Sequence, residues 1–290
     1  MHVQSQGKSF VNRFIAAAAA LLAAAVLFAP KAARATLVTL QSDNSTVQLN
    51  TTSNGNPSQN GVYNWEINDV NQIIQQWFWY RLSNTGPASD LTTLTQVGSP
   101  TLLNTSGGAG DNYASINYAG SGFTLNLQYL LIGGAAGSSS SDLEAIINID
   151  NTGGKTLDFD LVNYNNFSPA NNSGLRGVTI ANGNTADESI LSGELAQVLV
   201  SPSSTQYDAA AAGLLAGLNS GSLIPLPDNG STSGADPAFA FGFDLTIAPH
   251  SSSVISADEQ LTAPVPEPAS AATFLGALLF IRRRRRRSVI

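Results

Sequence analysis

Carboxylates and aromatic rings are the side chains of this 290-residue sequence that could do chemistry. Asp142, Glu144, Asp150, Asp158 and Asp160 flank the turn signal Asn151-Thr152-Gly153-Gly154. Hard cations take clustered carboxylate and carbonyl oxygens, so five carboxylates on one hairpin are the candidate calcium ligands. The same residues alternate with apolar ones, the pattern of a solvated outer sheet face. A glycoside-hydrolysing pair would be drawn from the carboxylates, with Glu66, Glu144, Glu188 and Glu194 among the available glutamates; the sequence singles out no pair. Trp77 and Trp79 lie in Gln75-Gln76-Trp77-Phe78-Trp79-Tyr80-Arg81 and fall on one face of a strand by alternation. Such a strand either fills a core on both faces or exposes an aromatic platform on which sugar rings stack.

Other chemistries find little to build on. The chain has no cysteine, which excludes disulfides, thiolate metal sites and cysteine nucleophiles. His250 is the one histidine after the N-terminal segment, in the turn-like Ala248-Pro249-His250-Ser251, with no Gly-x-Ser-x-Gly elbow to accompany it. No glycine-rich phosphate motif stands between a strand and a helix. From Thr36 to Pro264 three basic residues, Arg81, Lys155 and Arg176, face 19 acidic ones, a balance of −16. A body so acidic repels nucleic acid and favours cations or neutral polymers as partners.

Strands are the elements that must position these groups. Phe123, Leu125, Leu127, Tyr129 and Leu131 alternate with polar residues, as do Leu143, Ala145, Ile147 and Ile149, then Leu157, Phe159 and Leu161, and later Phe239, Phe241, Phe243, Leu245 and Ile247. The second and third runs, joined by the glycine-rich turn, predict a hairpin. One helix is predicted over Tyr207 to Leu218, stopped by Asn219 and Gly221. The expected body is all-β, an antiparallel β-sandwich of jelly-roll or immunoglobulin-like type, with one short helix as a cap.

Both ends of the sequence have a separate logic. Lys8 and Arg13 precede an apolar run from Phe14 to Phe28, and Ala33-Arg34-Ala35 offers small residues where a signal peptidase inspects them. This predicts a Sec signal helix in residues 1–35, cut before Thr36. At the other end Val265-Pro266-Glu267-Pro268 is followed by an apolar stretch to Ile281 and by Arg282, Arg283, Arg284, Arg285, Arg286 and Arg287. The prolines hold the glutamate extended, as a protease cleft requires, and the arginines would stay cytoplasmic. The apolar run from Ala269 to Ile281 is shorter than the ~20 residues of an ordinary membrane helix, which suits transient rather than lasting insertion.

These three ordered elements resemble the PEP-CTERM family of C-terminal sorting signals. That resemblance implies processing by an integral-membrane exosortase and an association with exopolysaccharide. Trp65-Glu66-Ile67-Asn68-Asp69, the aromatic stretch, Asp142-Leu143 and Asp236 to Phe241 are similar to a group of PEP-CTERM-bearing proteins whose bodies bring no known activity. The organisation expected is therefore a signal peptide over 1–35, an acidic sandwich over 36–264 and a sorting signal over 265–290. The function expected is that of a non-enzymatic exported protein of the cell envelope, outer surface or extracellular matrix, without a cofactor unless calcium binds. Its partners would be the Sec translocon, signal peptidase, an exosortase and an exopolysaccharide. A carbohydrate- or calcium-binding secreted module is the first alternative and a secreted glycoside hydrolase the second.

Overall fold

The computed structural model describes residues 37–262 apart from 84–85, 169–174, 191–192 and 223. Ala33, Ala35, Thr36, the Val265–Pro268 motif, the C-terminal apolar helix and Arg282–Arg287 lie outside the described residues. Strands β1 Leu37–Ser42, β2 Ser45–Asn50, β3 Gly61–Ile67, β4 Val70–Asn71, β5 Ile73–Leu82 and β6 Ser89–Asp90 come first. They are followed by β7 Thr95–Gln96, β8 Thr101–Leu103, β9 Tyr113–Gly120, β10 Phe123–Gly133 and β11 Ser140–Asn151. Next come β12 Leu157–Phe167, β13 Arg176–Ala181, β14 Thr185–Ile190, β15 Gly193–Ser201, β16 Gln206–Ala210 and the short helix α1 Leu214–Asn219. β17 Ser231–Gly234, β18 Ala238–Ile247 and β19 Ser252–Thr262 complete the described elements.

These strands form two antiparallel sheets. One runs β1-β2-β3-β5-β12-β18-β16, with β4 on β3 and β6 on β5; the other runs β17-β13-β14-β15-β19-β11-β10-β9-β7, with β8 on β9. Alternation explains the layering: Leu125, Leu127, Tyr129 and Leu131 of β10 and Leu143, Ala145, Ile147 and Ile149 of β11 are all buried on one face, while the residues between them are half-buried or exposed. β5 and β12 differ because they are enclosed on both faces: β5 carries rings at four consecutive positions, 77–80, and β12 is buried at every position from Phe159 to Phe167.

The expected all-β sandwich is therefore present, with two of its local expectations corrected. β11 and β12 do not pair as a hairpin; β11 pairs with β10 and β19, and β12 with β5 and β18. The turn between them is drawn away from a hairpin path by its own polar groups. Asn151 Nδ2 donates to the carbonyls of Lys155, Ile247 and Ala248, and the Thr152 and Gly153 amides donate to Gly122 O. These bonds tie the turn to the end of β18 and carry the chain from one sheet to the other. The predicted helix is also shorter than expected: Gln206–Ala210 is a strand on β18, and only Leu214–Asn219 is helical. Gly213, at φ +87°, starts it, and alanines at 209 and 210 pair with Phe239 and Ala238 instead of coiling.

Candidate functional site

Trp77 and Trp79 are fully buried, which corrects the reading of them as a sugar-stacking platform. Trp77 donates its Nε1–H to Asp90 Oδ1 at 2.7 Å, and its ring lies so close to Gly61, at φ +70°, that an added Cβ would meet it at 2.2 Å. Trp79 packs edge-on against Tyr164 with ring centroids 5.7 Å apart. Burial on both faces of β5 explains why the sequence needs rings at successive positions.

The five candidate calcium ligands are divided by the crossover. Asp142, Glu144 and Asp150 belong to β11 in one sheet, and Asp158 and Asp160 to β12 in the other. Among the described residues no group of three or more His, Cys, Asp or Glu could hold a metal ion. Asp160 is buried and takes the Arg81 Nε–H at 2.6 Å, while Arg81 Nη1 donates to Ile224 O at 2.8 Å. Burial raises the Asp160 carboxyl, with Arg81 opposing and Asp244 assisting. Asp158 takes Thr246 Oγ1 at 3.3 Å on the solvent side. Asp142 is opposite Gln260 and diagonal to Asp258 across β11 and β19; burial first, then a shared hydrogen bond with Asp258, pushes it up to about 7. Glu66 takes Asn64 Nδ2 at 2.9 Å on a half-buried edge. His250 sits at φ +56° in the turn between β18 and β19.

Glu188, one of four candidate glutamates in the sequence, is the one of them that the fold buries completely beside a cation. It points inward from β14 and is fully buried, as is Arg176 on the neighbouring β13 to within 4%. Arg176 Nη1 donates to Glu188 Oε1 at 3.1 Å and to Phe167 O; Nη2 donates to Asp236 Oδ1 at 3.0 Å and Ala235 O at 2.8 Å; Nε reaches Ala235 O at 3.2 Å. One guanidinium thus holds two carboxyl groups apart, one enclosed and one with its side chain 58% exposed. Loss of water raises Glu188 more than Arg176 lowers it, and the Asp236 charge adds to the rise, so its carboxyl is pushed up to about 8. Glu188 Oε2 has no hydrogen-bond partner. Tyr164 borders the cluster: burial, together with the charges of Asp236 and Glu188, pushes its hydroxyl up to about 12, and Asn166 Nδ2 lies 3.4 Å from it. A carboxyl that keeps its proton at neutral pH beside a second, accessible carboxylate is suited to general acid–base work.

No family model and no curated protein matches this sequence. In fold the chain is similar to a bacterial glucoamylase solved with acarbose, at a TM-score of 0.51 and 9% identity. That match takes in 83% of this chain and 36% of the glucoamylase, so the chain spans about a third of that enzyme's length. A galactose mutarotase related enzyme from Lactobacillus acidophilus aligns over 80% of this chain and 99% of its own, at 8% identity and a TM-score of 0.49. The shared sandwich of the glucoamylase overturns the expectation of a non-enzymatic body. That expectation rested on finding no catalytic motif, and a fold found within a carbohydrate-active enzyme removes the ground for it.

Proposed function

We propose that this is an exported glycan-directed hydrolase whose sandwich uses Glu188 as its acid and Asp236 as its ionised partner. The observation that carries the reading is the Arg176 cluster: a proton-bearing carboxyl and an exposed carboxylate held on one guanidinium. The fold shared with part of a glucoamylase supports a sugar polymer as the substrate class. In the reaction Glu188 gives its proton to the departing glycosidic oxygen, water supplies the hydroxyl that adds to the anomeric carbon, and Asp236 takes the proton that water loses. Glu188 has no exposure of its own, so the substrate must approach from the Asp236 side, and that side must open for turnover.

The test is release of reducing ends from a panel of α- and β-linked polysaccharides by the purified chain and by Glu188→Gln and Asp236→Asn. Activity on one polymer class that falls at least ~100-fold in Glu188→Gln supports the proposal. Equal activity in that variant, or none on any polymer, contradicts it.

Export and sorting complete the proposal. The basic-apolar-small N-terminal pattern and the Pro-Glu-Pro, apolar and arginine C-terminal pattern support Sec export, transient membrane insertion, exosortase processing and an envelope or extracellular address. Terminal-peptide mass analysis of protein from its host checks this. A form beginning at Thr36 and ending near Pro266 to Pro268 agrees, and one retaining Arg282 to Arg287 does not.

A further inference from the structure

Two strands break their apolar alternation at positions that meet inside the sandwich. On β19 the inward residues read Ile255, Ala257, Glu259, Leu261, and on β12 they read Leu161, Asn163, Asn165, Phe167. Glu259 is fully buried and lies against Asn163, whose Oδ1 accepts from Asn165 Nδ2. Asn165 is opposite Gln76 on β5, and Gln76 Oε1 takes the Tyr129 hydroxyl at 2.8 Å. Ala145 and Ala257, small residues next to each other in register, lie in the row that ends at Tyr129.

This polar group is incompletely satisfied. Both carboxylate oxygens of Glu259, Asn165 Oδ1, Asn163 Nδ2 and Gln76 Nε2 have no hydrogen-bond partner. Turning the Gln76 amide exchanges its nitrogen and oxygen without changing its shape, so it can present oxygen; turning Asn163 as well would give up the bond from Asn165 Nδ2. Among the described residues no basic side chain is placed to pair with this group. Arg81 is engaged with Asp160, Arg176 with Glu188 and Asp236, and Lys155 is exposed in the turn after β11. The charges of Asp142 on β11 and Asp258 on β19 press on Glu259. An enclosed carboxylate with only the Asn163 amide beside it costs several kcal/mol in effect, which a cation from solution would offset.

We infer that Glu259, Asn163, Asn165, Gln76 and Tyr129 form a buried calcium site between the sheets. The set is all oxygen, with up to six donors if Glu259 is bidentate, which is the coordination a hard cation of this size takes. It is separate from the divided surface carboxylates and does not depend on the glycan reading.

The test follows the full purified chain, chelated and then given calcium, by melting temperature and by terbium luminescence sensitised through Tyr129. Calcium should raise the melting point by ~5 °C at saturation, and terbium emission should appear and be displaced by calcium. Glu259→Gln should lose both responses, whereas Asp142→Asn, which removes a neighbouring charge but no ligand, should keep them. A response to sodium alone, no response, or an undiminished response in Glu259→Gln overturns the site. Should Glu259→Gln fail to fold, equilibrium dialysis of the wild-type chain and Asp142→Asn decides. About one retained calcium per chain in both supports the proposal, and none, or loss in Asp142→Asn, contradicts it.

Discussion

Glu188 and Glu259 are both fully enclosed, yet Glu188 has the Arg176 guanidinium at 3.1 Å, whereas Glu259 has two bare oxygens and a lone amide beside it. Glu188 sits near the edge of its sheet, where Asp236 opens to solvent; Glu259 is in the middle of its sheet, between β15 and β11. Burial raises both carboxyls, and near Glu188 a fixed cation limits the rise to about 8, while near Glu259 only the Asn163 amide opposes it among the described residues. Of the three basic residues of the body, Arg81 and Arg176 are each engaged by a buried acid and Lys155 is exposed, so Glu259 is left to depend on something else.

The largest break in that comparison should come from Arg176→Met. It removes five hydrogen bonds and leaves the Phe167 and Ala235 carbonyls unpaired, so urea unfolding should show a loss of about 3–5 kcal/mol. Glu259→Gln in chelated buffer should instead be neutral or stabilising, because an amide of the same shape replaces an acid whose ionisation burial opposes.

A smaller effect is expected in pH dependence. A carboxyl whose folded pKa lies above its unfolded one contributes fully below the unfolded value, and that contribution is lost as pH rises through the folded one. For Glu188 the window runs from an ordinary 4.5 to about 8, so stability should fall across it and Glu188→Gln should flatten the fall, read by denaturation at fixed pH steps. Asp142→Asn should relieve a lesser decline between an ordinary 3.8 and about 7, since that carboxyl is only half-buried. Smallest of all, Asp158→Asn on the exposed side of β12 should change unfolding free energy by no more than ~0.5 kcal/mol.

How far the sequence could be read depended on whether a residue's neighbours were local. Alternation in β10, β11 and β18 placed Leu127, Ile147 and Phe241 in the core, and the class of fold followed from it. The Asn151 turn looked like a hairpin because its bonds to Gly122, Ile247 and Ala248 come from distant parts of the chain. Trp77 and Trp79 could have been platform or core, and only the enclosure of both faces of β5 decides. Glu188 was one glutamate among several because Arg176, Asp236 and Phe167 meet it only through sheet pairing and loop return. Glu259 did carry a local signal: a charge at an inward position of the alternating Ile255, Ala257, Leu261 series, visible once the inward face of β19 is known.

The pH profile of kcat/KM on the polymer that the chain cleaves tests the central claim most directly. The account predicts an alkaline limb near pH 8, set by deprotonation of Glu188 and absent along with activity in Glu188→Gln. Turnover that continues unchanged above that pH, or that survives in the variant with the same profile, would contradict it.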